Sequence, residues 1–122
     1  MHLLHDPSAA ASESIAFDEF LKVDIRVGTV LSAEPLQGAR KPALALRIDF
    51  GDGVGEKKSS AQIANYDPEA LIGRQVLAVV NFPPRQVGKF MSEVLVLGAA
   101  SASGEIQLVA PDAIVPNGAR MA

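Results

Sequence analysis

The chain has 122 residues with no cysteine, eleven Lys plus Arg against fourteen Asp plus Glu, and a formal net charge of −3. That length builds one modest hydrophobic core and so one domain, and the missing cysteine excludes disulfides, thiolate metal sites and thiol nucleophiles. No signal-peptide pattern and no apolar run of membrane-spanning length is present, so a soluble protein of a reducing compartment, the cytoplasm, is expected.

Residues 1–14 are rich in Ala and Ser without a period and read as a flexible leader, separate from a domain over 15–122. His2 and His5 lie in it; with no cysteine and no paired carboxylates nearby, they read as a solvated tail and not as metal ligands. Residues 1–21 carry Asp6, Glu13, Asp18 and Glu19 and no Lys or Arg, so the body that follows is nearly neutral. Such a body can present a basic face, but any hold on phosphate has to be local and salt-sensitive.

In residues 14–21, Ile15, Phe17, Phe20 and Leu21 share one side of a short helical turn, a face expected to pack on the body or on a second subunit. Residues 22–34 alternate at first, which predicts Val23, Ile25 and Val27 inside and Arg26 outside. Gly28 then breaks the parity, as a bulge or bend would. Arg26 has two readings, a surface cation paired to Asp24 or a fork for phosphate or carboxylate.

Residues 35–42 form a loop in which Arg40 and Lys41 read as ordinary surface cations. Residues 43–50 give the clearest strand, Leu44, Leu46, Ile48 and Phe50 alternating with smaller or polar residues. A glycine-rich turn and a third strand over 56–63 complete a hairpin with Arg47, Lys57 and hydroxyls outward. Asp67, Pro68 and Gly73 have the types of an N-cap, a first helical residue and a left-handed stop, which predicts a very short helix.

A fourth strand over 74–80 and a fifth over 93–98 flank the most unusual segment, NFPPRQV GKFMSEVLVLG, which starts at Asn81. Pro83 and Pro84 fix φ, remove two donors and end the strand near Asn81. Arg85 and Lys89 are thereby held out on a stiff loop, Gly88 allows a positive φ, and Ser92 and Glu93 precede the next strand. A further strand near Ile106 and a Pro-rich tail follow. This order predicts an all-β OB-fold, a five-stranded Greek-key barrel with short helices and terminal extensions.

No catalytic constellation emerges. Both histidines lie in the leader, the glycines at 51–55 precede no Gly-Lys-Ser and no long helix, and Asp49, Asp52 and Glu56 lack calcium-loop spacing. No enzyme activity, metal or cofactor is expected. Among six aromatics, Phe82 and Phe90 are the candidates for exposure beside cations, either to stack a base, to hold a peptide side chain, or to pack back on the barrel end.

The segments FDEFLKVDIRVGTV, SSAQI, VVNFPPRQVGKFMSEVLVLG and PDAIVPNG closely resemble the CsaA family of export-related chaperones. That family is similar in turn to the tRNA-binding domain of methionyl-tRNA synthetase C-termini and of EMAP II and Arc1p. The resemblance implies a non-enzymatic OB-fold homodimer, joined through the segments flanking the barrel. It places Arg26, Asn81, Arg85, Lys89 and Ser92 towards tRNA or another structured RNA. It also implies that Phe82, Phe90 and Met91 meet unfolded or precursor polypeptides delivered to the secretion machinery. The expected function is therefore salt-sensitive tRNA binding together with chaperone work on polypeptides in export, which are not exclusive; the alternatives are a peptide-binding secretion chaperone with no RNA ligand and a purely structural dimer.

Overall fold

The computed structural model describes residues 3–122; His2, assigned to the leader above, lies outside them. Residues 3–16 form no helix or strand beyond a turn at Asp6, and all are exposed. The Asp6 carboxylate accepts from the Ser8 backbone N–H and hydroxyl, which holds it below the usual carboxylate range.

Eleven elements follow: α1 (Phe17–Leu21), β1 (Ile25–Pro35), β2 (Leu44–Asp49), β3 (Glu56–Ala61), α2 (Pro68–Leu71), β4 (Gln75–Val79), β5 (Arg85–Val87), β6 (Phe90–Ser92), β7 (Leu95–Val96), β8 (Gly98–Ala100) and β9 (Ile106–Leu108). Antiparallel pairing in the order β3-β2-β1-β4-β7 forms the barrel, which is nearly closed where β3 meets the chain around Val94. This is the expected OB-type Greek key. Leu44, Leu46 and Ile48 of the second strand, and Phe50 just after it, fill the interior with Val30, Ile63, Val76, Ala78 and Val96. Asp67 accepts from the Glu69 N–H at 3.1 Å and Gly73 stops α2 at φ 88°, as their residue types predict.

The first strand departs from its pattern in two ways. Its register places Arg26 opposite Ala78 and Gly28 opposite Val76, so these residues share the face of the barrel interior. Ile25 and Val27 instead join Leu77 and Val79 in a second apolar cluster on the other side of the sheet. The alternation was real, but it marked the outer layer. The register slip falls at Leu31, between Val30 and Ser32, and not at Gly28. Gly28 serves close packing: a Cβ there would stand 2.6 Å from Ile48 Cγ2 and 2.7 Å from Phe50 Cδ1.

The second cluster is covered by Phe20 and by the C-terminal tail, where Val115 and Ala119 pack on it. The tail runs antiparallel beside β1 and meets it in an isolated bridge between Arg26 and Arg120: Val27 N–H donates to Ala119 O, Gly118 N–H to Val27 O, and Met121 N–H to Ile25 O. Gln75 bonds both ways with Val115, and Thr29 donates to Asn117 Oδ1. Of the helical face at 14–21, Phe20 packs inward while Ile15, Phe17 and Leu21 remain exposed.

Candidate nucleic-acid interface

The segment after β4 is built outward from its prolines. Val80 N–H still donates to Asp24 O, and the Asn81 amide then adds one more rung, accepting from Asp24 N–H at 2.9 Å and donating to Lys22 O at 2.8 Å. Pro83 and Pro84 cannot continue the ladder. The chain turns instead into the β5-β6 hairpin, with Gly88 at φ 61° in its turn. A stiff loop was expected here; strands of three residues are too short to show an alternation.

Two side chains clip this hairpin to the edge of β3. Ser92 Oγ accepts from Ser60 N–H at 3.0 Å and lies within reach of Val94 O at 3.2 Å, and Ser92 is buried. Glu93 takes the Lys58 N–H on its carboxylate at 2.9 Å and donates its own N–H to Lys58 O. The Lys58 ammonium stands 5.4 Å from the Phe90 ring centroid, so this half-buried ring faces a cation.

Arg85 is exposed and borders two hollows. The first, a cleft of about 600 Å³, lies between the hairpin and the β1-β2 loop and is lined by Arg40, Lys41, Gln62 and Arg85 among others. The second, a smaller slot of about 180 Å³, is lined by Phe82, Pro83, Val94 and Leu95 beside Arg85. Met91 is exposed on β6.

Charge is unevenly committed. Among the described residues, salt bridges engage Lys22, Arg26, Arg47 and Arg120. Arg26 is held by Asp24 at 2.6 Å and donates to Gly118 O at 3.1 Å, so its guanidinium ties the first strand to the tail. Arg40, Lys41, Lys58, Arg85 and Lys89 have no carboxylate within salt-bridge distance among the described residues. The expected RNA-facing residues thus form two groups, Arg26 and Asn81 joined through Asp24, and Arg85, Lys89 and Ser92 on the hairpin. Arg40 and Lys41 stand with the second group, a placement that only the meeting of two distant loops reveals.

A nearly closed OB-type barrel, with cations that have no carboxylate partner among the described residues on the loops after its first and fourth strands, is the architecture of an oligonucleotide-binding domain. The family model described as "Putative tRNA binding domain" matches residues 25–120, and the chain belongs to that family. Among solved structures, chaperone CsaA from Bacillus anthracis str. Ames is 50% identical with TM-score 0.84, over 90% of this chain and 100% of that one. CsaA chaperone protein from Picrophilus torridus is 48% identical with TM-score 0.83, over 89% and 100%. A methionine–tRNA ligase of Porphyromonas gingivalis is 43% identical over 93% of this chain, which spans only 16% of that enzyme's length. The match to CsaA therefore runs the full length of those chains, and the match to the ligase is to one part of it.

Proposed function

We propose that the protein is a non-enzymatic RNA-binding module that holds structured RNA, tRNA foremost, through the β5-β6 hairpin and the β1-β2 loop. The observation that carries this is the gathering of Arg40, Lys41 and Arg85 around one cleft, with no carboxylate partner among the described residues. Lys89 extends the same basic edge from the hairpin turn. Arg26 and Asn81 fix the start of the first strand through Asp24, and Ser92 fixes the base of the hairpin to β3. Residues 1–14 stand outside the binding module, and the protein works in the cytoplasm.

Total tRNA is expected to bind at about 50 mM salt and to weaken steeply by about 200 mM, the mark of phosphate-led association. Arg85→Ala with Lys89→Ala should reduce the salt slope by about two. Tight binding that ignores salt, or a folded double variant with unchanged retention, defeats the reading.

The apolar slot supports a second activity. Phe82 is 49% exposed at its border, and the similarity to CsaA chaperones favours extended polypeptide clients there, with Phe90 and Met91 on the neighbouring hairpin. Delivery of such clients to the secretion machinery belongs to this second reading. Both activities fit a homodimer formed over the outer apolar layer. Phe17, Ile114 and Met121 are exposed near it, and a hollow of about 360 Å³ opens between Val27, Leu77 and Met121.

A further inference from the structure

We infer that Asn117-Gly118 is a site of self-modification: when the tail lifts from β1, the Gly118 nitrogen closes on the Asn117 side chain, and the isoaspartate that results keeps the tail from returning. The inference stands independently of the RNA reading.

The sequence supplies the reacting pair. Asn65 precedes Tyr66 and Asn81 precedes Phe82, whose side chains shield the following nitrogen, whereas Asn117 precedes a glycine. In the reaction the Gly118 nitrogen bonds to Asn117 Cγ, the Cγ–Nδ2 bond breaks, and ammonia departs with the proton that Gly118 gives up. Water then opens the cyclic imide. Opening at Cγ leaves aspartate in an ordinary chain; opening at the main-chain carbonyl leaves isoaspartate, whose chain runs through Cβ and Cγ and is longer by an atom.

The fold holds both reactants back. Gly118 N–H donates to Val27 O at 2.7 Å, while Asn117 Oδ1 accepts from Thr29 Oγ1 at 2.7 Å and from Gln75 Nε2 at 3.3 Å. Residues 50 and 51 press on the pair as well: a Cβ on Gly51 would stand 2.7 Å from Asn117 O, and one on Gly118 would stand 2.7 Å from Phe50 O. Groups fixed in separate hydrogen bonds lose the near-attack geometry that ring closure needs.

The tail is built to lift without the barrel. It meets β1 at an isolated bridge, and Arg120 fastens it through Leu21 O at 2.6 Å and Asp24 at 3.3 Å. Met121 is exposed, and the hollow of about 360 Å³ bordered by Val27, Leu77 and Met121 leaves the packing beneath incomplete. A segment with so little buried apolar contact opens at a lower free energy than the whole domain unfolds. The extra chain atom of isoaspartate then falls beside the bond from Gly118 to Val27, so that bond and the two beyond it cannot all be remade in register. Modification thereby marks, in one direction, the molecules whose tail has opened.

The test is isoaspartate at position 117, read by peptide mapping after the full chain is incubated at mildly alkaline pH, folded and in urea. Asp52-Gly53, in an exposed turn, is the internal reference that no tail variant should change. Folded wild-type protein should modify Asn117 at least about tenfold more slowly than the urea sample. Thr29→Val and Arg120→Ala, each removing one restraint, should speed it about fivefold with the barrel still folded by circular dichroism. In the isoaspartyl fraction the Val27 amide should exchange with deuterium faster. Asn117→Asp, which keeps acceptor oxygens for Thr29 and Gln75, should leave that exchange slow. A folded rate equal to the urea rate, both variants as slow as wild type, or unchanged Val27 exchange in the isoaspartyl fraction overturns the inference.

Discussion

Ser92 shows how a polar residue beside a binding surface can belong to the frame. Its hydroxyl accepts from the buried Ser60 N–H, thirty-two positions away in the chain. Ser92→Ala should leave that donor unsatisfied and cost about 1–3 kcal/mol, read as a lower urea midpoint with an unchanged slope. Ser92→Thr, which keeps the hydroxyl, should recover part of the loss. Asn81 and Arg26 act on the same scale, meeting at Asp24, whose N–H and carboxylate they share. The chain's spelling marked all three as special residues. The pairing of Arg26 with Asp24 is one of the two readings that the sequence offers, whereas the partners of Asn81 and Ser92 lie 57 and 32 positions away and were not legible.

Among the elements, the second strand was fully legible, since clean alternation from Leu44 to Phe50 needs only one wet face and one dry one. The first strand was legible as a strand and inverted in its facing. Its apolar residues serve an outer layer formed by residues 115–121 and Phe20, and a period of two cannot say which apolar layer it feeds. Gly28 sits where this strand crosses the ring of Phe50. Gly28→Ala should overpack the interior and cost about 1–3 kcal/mol, seen as a lower Tm without loss of the barrel's circular dichroism. The β5-β6 hairpin was hidden because two prolines and a glycine spell a loop, yet those same residues start and turn it. Its neighbour across the cleft, the β1-β2 loop, carried its cations in plain view. Only the folded barrel sets them opposite Arg85.

For the whole molecule, the barrel has an inner core and a second apolar layer outside it, incompletely covered. A homodimer over that layer is the arrangement we propose. Ile114→Asp with Met121→Asp, both exposed positions, should then shift the protein to a monomer in sedimentation and leave the unfolding of the barrel cooperative. A wild-type protein that sediments as a monomer at high concentration defeats the dimer. Two clefts on one dimer would engage one RNA with a gain in avidity, so the monomeric variant should also bind tRNA more weakly than the loss of any single contact explains.

The pairing of residues 118–121 with β1 bears on how the chain is made. Val27 and Ile25, near the start of the barrel, complete their backbone pairing with Gly118, Ala119 and Met121. During synthesis the ribosome must therefore release almost the whole domain before the first strand is bordered on both sides. Until then the nascent chain carries a bare strand edge beside Ile25 and Val27, the kind of surface on which another copy can pair. Until residues 118–121 arrive, this chain therefore exposes an edge of the kind that folded barrels keep covered.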